Sequence, residues 1–220
     1  MVTQSQVLVA LDIIVGVISC SIGLKLFSRY KKIKNYATLS LSLYALVYGV
    51  GCFLWAIEDT LIPGTIPLAT GAYILQYLPA YFGFLFGEFV LKIKPKILIP
   101  IASVVMAGGI LSFIIFPLSI EAINGAYIYR PSPITGKVLI AVVAIALIPV
   151  ILFIAYGIKT RKEKISRNKG FILASGFFLV ILGGYILFPY GFISLIPSWG
   201  IVLAGILMLY FGFFYGKEET

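Results

Sequence analysis

Two acids stand where acids are costly. Asp12 interrupts an uncharged run, with VLVAL before it and IIVGV after it, and Glu88 closes an aromatic ladder of Tyr73, Tyr77, Tyr81 and Phe84. The ladder's spacings of four, four, three and four residues put all five side chains on one face of a helix. In an apolar span such a stripe could carry a polar path, with hydroxyls one turn apart and Glu88 as a cation or proton station at its end. Gln76 lies beside the stripe and could add an amide at the depth of Tyr77. The plainer role for Glu88 is an ion pair with Lys92, four residues on, worth a few tenths of a kcal/mol. Asp12 has the same two readings: a functional acid, or a structural acid paired with Arg130 or Lys137. With Glu58, Asp59 and Glu121, it would give one mouth of the molecule an acidic rim that attracts cations.

The rest of the sequence leaves little other chemistry open. The chain has no histidine and only two cysteines, which excludes most metal, haem and cysteine-histidine sites. Its many serines have no histidine to activate them. No lysine-serine pair at matching depth and no carboxylate pair within one helix emerges from the spacing, so the sequence predicts no enzyme, no metal and no cofactor. Cys20 and Cys52 fall at different depths of successive spans, too far apart for a disulfide, and read as small apolar core residues.

These residues need elements to position them, and composition says which. Hydrophobic residues make up 61% of the chain and charged ones 11%, with a mean hydropathy of +1.08, outside the range of a water-soluble domain. A bilayer core takes about 20 apolar residues per helix. Seven runs qualify: Val7 to Phe27, Tyr36 to Ile57, Ile66 to Leu91, Ile97 to Leu118, Val138 to Ile158, Gly170 to Phe188 and Pro197 to Tyr215. The predicted fold is all-α, one seven-helix membrane bundle over residues 1–220. MVTQSQ has no positive n-region, so the first run is expected to remain as a span.

The net charge of +9 falls between the spans, not on an exposed face that could bind nucleic acid. Of the 17 lysines and arginines, all except Arg130 and Lys137 belong to the three connections KLFSRYKKIKNY, KIKPK and KTRKEKISRNK and to the tail. The positive-inside rule then puts the N-terminus outside and the C-terminus in the cytoplasm, with Trp55 and Trp199 at the outer aromatic belt. That basic face is expected to meet anionic lipid headgroups. Between the fourth and fifth runs, apolar residues alternate on both sides of Asn124-Gly125, which predicts a β-hairpin over Ser119 to Arg130.

At an offset of about 133 residues, Asn35, Ser42, Leu46, Val47, Gly51 and Leu54 fall on Asn168, Ser175, Leu179, Val180, Gly184 and Leu187. Residues 7–91 would thus repeat as 138–215. An odd number of spans per half needs a linking helix, 97–118, to keep both halves in one orientation, giving a parallel 3+1+3 design. In topology alone this threading resembles seven-helix sugar carriers and microbial rhodopsins. The last span has no lysine for a retinal Schiff base, and the carriers' Pro-Gln signature is missing, so the sequence assigns no family.

Small residues at Gly83 and Gly87, Gly200 and Ala204, Gly212 and Gly216, and at the pairs Gly108-Gly109 and Gly183-Gly184, predict close helix contacts, within the chain or with a protein partner or second copy. Pro79 and Pro149 are expected to kink their helices. Two functions fit: a small-solute or cation carrier or channel, or a sensor or accessory subunit binding a lipid, an apolar ligand or a partner. Either belongs in a prokaryotic plasma membrane. A water-filled cavity reaching past mid-membrane to Asp12 or Tyr77 would favour the first, and a bundle sealed by side chains the second.

Overall fold

The computed structural model describes residues 4–91, 98–123, 126–187 and 195–215. Seven helices appear where the apolar runs predict them: α1 (Gln4–Ile33), α2 (Tyr36–Leu61), α3 (Ile66–Leu91), α4 (Leu98–Ile115), α5 (Pro133–Lys159), α6 (Lys164–Ile181) and α7 (Leu195–Phe214). All seven are long and apolar enough to cross a membrane. Several outgrow their runs by a turn or more, because polar ends such as KKI in α1 and EDTL in α2 stay helical beyond the apolar stretch. Local chemistry sets the ends. Lys34, at φ 50°, terminates α1, its N–H bonding Tyr30 O at 2.7 Å. Asn35 then caps α2 by accepting from Ala37 N–H at 2.9 Å. Ser132 does the same for α5, accepting from Thr135 N–H at 3.1 Å, with proline next in the chain.

Between α4 and α5 lie β1 (Ser119–Ile123) and β2 (Ala126–Arg130), antiparallel with Ile123 opposite Ala126. The predicted hairpin is therefore present, although its turn, Asn124-Gly125, lies outside the described residues. A lone hairpin is marginal in water. This one is anchored by Leu118 and Tyr129, both buried in the main core.

Consecutive helices are neighbours in α1–α2–α3 and in α5–α6–α7, while α3 meets α5 and α7 meets α1. Six helices thus close a ring, and α4 stands outside it against α3 and α5. Ile101, Val104, Leu111, Ile114 and Ile115 of α4 and Ile13, Ile14 and Val17 of α1 are exposed, as lipid-facing side chains would be.

Glycine brings the ring backbones together. A Cβ on Gly23 would fall 2.9 Å from Leu46 N, one on Gly170 2.9 Å from Phe153 O, and one on Gly205 2.8 Å from Gly176 O. These approaches knit α1 to α2, α5 to α6 and α6 to α7. Of the glycines singled out from spacing, Gly183 is in such a backbone contact, Gly83 and Gly212 make room for neighbouring side chains, and Gly108 and Gly200 face open space. Gly87 packs on Pro149, which fits α5 to α3.

The lysine-rich half of the ring is filled by aromatics. Phe86, Phe153 and Phe177 lie with ring centroids 5.6 to 6.1 Å apart. Phe213 joins Phe86 at 6.0 Å, and Tyr44 meets Phe177 edge-on at 5.6 Å. Five helices meet at this plug. Toward the hairpin end, α6 passes into a π-helical turn, Leu182–Leu187. There Ser198 of α7 donates to Gly183 O, covering one carbonyl of the widened turn.

Candidate functional site

The buried stripe of α1 runs Asp12, Val15, Gly16, Ser19, Gly23 and Leu26, at helical spacing. It faces α2, so Asp12 is drawn into the α1–α2 seam as part of a packing face. Asp12 is 3% exposed, and its Oδ1 has no hydrogen-bond partner. The groups in electrostatic range are Asp59 and Cys52, both on α2. A third acid follows: Asp59 is in hydrogen-bond contact with Glu58, which is fully buried.

Glu58 holds the hairpin end together. Its Oε1 accepts from the N–H of Gly64 at 2.7 Å. Gly64 has φ 81°, the left-handed region open to glycine, which lets the α2–α3 turn fold its amide back toward the carboxylate. The same Oε1 accepts from the hydroxyl of Tyr129 on β2. Burial first, and then this carboxylate, push the Tyr129 phenol above the usual tyrosine range. Tyr73 donates to Tyr129 O at 2.9 Å, and Trp55 packs against both rings, at 5.1 Å from Tyr73 and 5.7 Å from Tyr129. One carboxylate and two tyrosines therefore tie the hairpin to α2, α3 and the turn between them.

The structure divides the residues that the sequence grouped. Asp12, Glu58 and Asp59 come together at the hairpin end, joined by Tyr73 through Tyr129. Glu121 lies on β1 opposite Ile128, and its side chain is outside the described residues. Tyr73 and Tyr77 stack at 6.3 Å, both against Phe113 of α4, and Tyr81 OH bonds Ser103 Oγ of α4 at 2.8 Å. Phe84 packs with Ala102 of α4 and Ile145 of α5. The stripe thus lies toward the outlying helix α4, while Gly83, on another face of α3, meets Phe177 and Tyr44 in the ring. Gln76 approaches Gly51 of α2. Glu88 is buried at the lysine-rich end of α3, and Lys92 lies outside the described residues.

Tyr129 and Gly64, the two donors to Glu58, were not among the predicted site residues. The Asn-Gly turn announces the hairpin, but no pattern in the sequence says which strand residue reaches which helix end. Among the described residues no three His, Cys, Asp or Glu side chains gather in a set able to hold a metal ion. Two cavities among the described residues have volumes of about 10 Å³. One lies beside Tyr44, Gly83 and Phe177 and the other among α1, α2 and α7, each the size of a single water.

Comparison with known protein families, with curated proteins and with solved structures finds no match. Its own architecture places the chain in a class: a multi-pass membrane protein, with seven helices long and apolar enough to span and a small two-stranded sheet among the described residues.

Proposed function

We propose that the protein is a sensor or accessory membrane subunit that moves no solute, with the hairpin and its carboxyl cluster at the outer surface and the lysine-rich end in the cytoplasm of a prokaryotic cell. The observation that carries this reading is the filled interior. Five helices close on Phe86, Phe153, Phe177, Phe213 and Tyr44, and the cavities beside Tyr44 and among α1, α2 and α7 are of single-water size. The hydrogen-bonded carboxyl of Glu58 is at one end, locked to a hairpin, and the hydroxyls of the α3 stripe lie against α4 and not inside the ring. No catalysis is part of the reading. Its orientation rests on the lysine and arginine distribution. A cysteine introduced at Asn124 should be labelled only from outside and one at Asn168 only from the cytoplasm; reversed labelling would overturn the threading.

A carrier caught in an occluded state is the second reading, and the ring favours it. Exchanging α1–α2–α3 with α5–α6–α7 turns the α3–α5 contact into α7–α1, as a parallel repeat about an axis along the membrane normal would, with α4 as the linker. Buried Asp12 would be its coupling acid. Ion and solute flux in proteoliposomes, with and without a pH gradient, separates the two. The subunit reading expects rates equal to empty vesicles. Flux that vanishes in Asp12→Asn would establish the carrier.

A further inference from the structure

The lysine-rich end holds a cluster of cations that the seal of the bundle does not explain. Lys25 and Arg29 stand one turn apart on α1, over the last turns of α7. Lys25 Nζ lies 5.4 Å from the ring centre of Tyr210 and 6.0 Å from that of Phe214. Arg29 Cζ lies 5.1 Å from Phe214 and 6.0 Å from Phe213. From α6, Lys169 donates to Phe213 O at 3.3 Å, and the charge acting on it is another cation, Arg29.

Three positive side chains from two helices thus converge on the end of a third. Among the described residues their contacts are rings and one carbonyl. The rings and the C-terminal carbonyl of α7 offset part of this charge, but like charges held together, with Arg29 and Lys169 half-buried, favour an anion between them. The depth of the cluster selects the kind of anion. Lys25 lies two turns above the end of α1, and Lys169 is in the second turn of α6, so the charges sit at the boundary of the spans and not out in the loops. Exposed Leu24 on α1 and Phe211 on α7 flank the cluster with apolar surface suited to an acyl chain.

We propose that Lys25, Arg29 and Lys169 form a binding site for the phosphate headgroup of an anionic phospholipid at the α1–α6–α7 junction. The guanidinium supplies a fork to the phosphate oxygens, the two ammonium groups complete the cradle, and the rings of Tyr210 and Phe214 floor it. This is one defined site, distinct from the diffuse attraction of the basic loops, and it holds whether or not the protein transports a solute.

The test is native mass spectrometry of the full chain titrated with phosphatidylglycerol or phosphatidylcholine, with melting temperature measured alongside. The wild type should retain one phosphatidylglycerol and be stabilised by it, but not by phosphatidylcholine. Arg29→Gln with Lys169→Gln should weaken retention about tenfold or more, and Lys25→Gln should weaken it less. Arg161→Gln with Lys162→Gln removes the same charge from the α5–α6 connection and should leave retention unchanged. Equal losses in the two double variants would reduce the site to diffuse attraction and overturn the proposal. So would stabilisation by inorganic phosphate equal to that by the lipid, which would indicate a free-phosphate site. Lipid retained only after Glu218→Gln and Glu219→Gln would make the tail the occupant and refute the proposal. Should the Arg29 and Lys169 double variant melt early without lipid, Lys25→Gln alone, an exposed position, decides the question.

Discussion

The two ends of the bundle solve opposite problems. At the hairpin end carboxyls gather, and one oxygen of Glu58 accepts from backbone and phenol, Gly64 N–H and Tyr129 OH, with half-buried Asp59 beside it and buried Asp12 across the α1–α2 seam. At the other end, cations ride on aromatic rings above a plug of phenylalanines. One end spends its polarity on holding a turn and a hairpin in place. The other is sealed by apolar packing and leaves its charge facing outward. Recognition by directional hydrogen bonds therefore belongs to the first end, and electrostatic attachment to the second.

Truncating the plug should be the most costly way to upset this division. Phe177 is 2% exposed and touches Tyr44, Phe86 and Phe153. Phe177→Ala is expected to lose about 3–5 kcal/mol by leaving a cavity, read by thermal unfolding in detergent. A loss under about 1 kcal/mol would mean that the interior collapses freely and is not a fixed seal. Forcing a side chain into the α6–α7 contact comes next. Gly205→Val must push against Gly176 O and Val180 N and should cost roughly 1–3 kcal/mol, whereas Gly200→Ala, with open space around it, should be neutral or stabilising.

At the hairpin end the expected effects are of similar size but local. Tyr129→Phe removes one donor from Glu58 and should cost about 1–3 kcal/mol. Faster hydrogen exchange confined to residues 119–130 would mark the loosened hairpin; uniform change across the bundle would contradict a local latch. The same phenol gives a pH signature. Its folded pKa lies above its unfolded value of about 10, so the folded state holds the proton longer. That contribution is complete below about pH 10 and is lost as pH rises toward the folded pKa. Wild type minus Tyr129→Phe stability should therefore be flat at neutral pH and fall in strong alkali, and a difference that grows with pH would reverse the assignment.

Asp12→Asn should give the smallest change. With the like charge of Asp59 acting on it and no partner on Oδ1, removing the acid should leave the melting temperature unchanged or raise it slightly. A drop of several degrees would reveal a cationic partner, and restore the reading in which Arg130 or Lys137 pairs with it.

Much of the architecture was legible in the chain because a bilayer leaves few choices. Seven apolar runs of about bilayer length, with lysine clusters at alternate connections, read as spans, and alternation around Asn124-Gly125 reads as a hairpin. What a helix face is for is another matter. Tyr73, Tyr77, Tyr81 and Phe84 do share one face of α3, as their spacing requires, but that face lies toward α4, the helix outside the ring, and a period of 3.6 says nothing about which neighbour receives it. Most of the tight glycines were similarly silent. Gly23, Gly49 and Gly170 look no different in sequence from Gly108, and only the approach of a second backbone separates them. Sequence fixes what a segment must bury, because transfer energies and helical periodicity are local. Which carboxylate meets which phenol is decided by the closing of the ring, since Glu58 and Tyr129 stand 71 residues apart and share no pattern until the chain has folded.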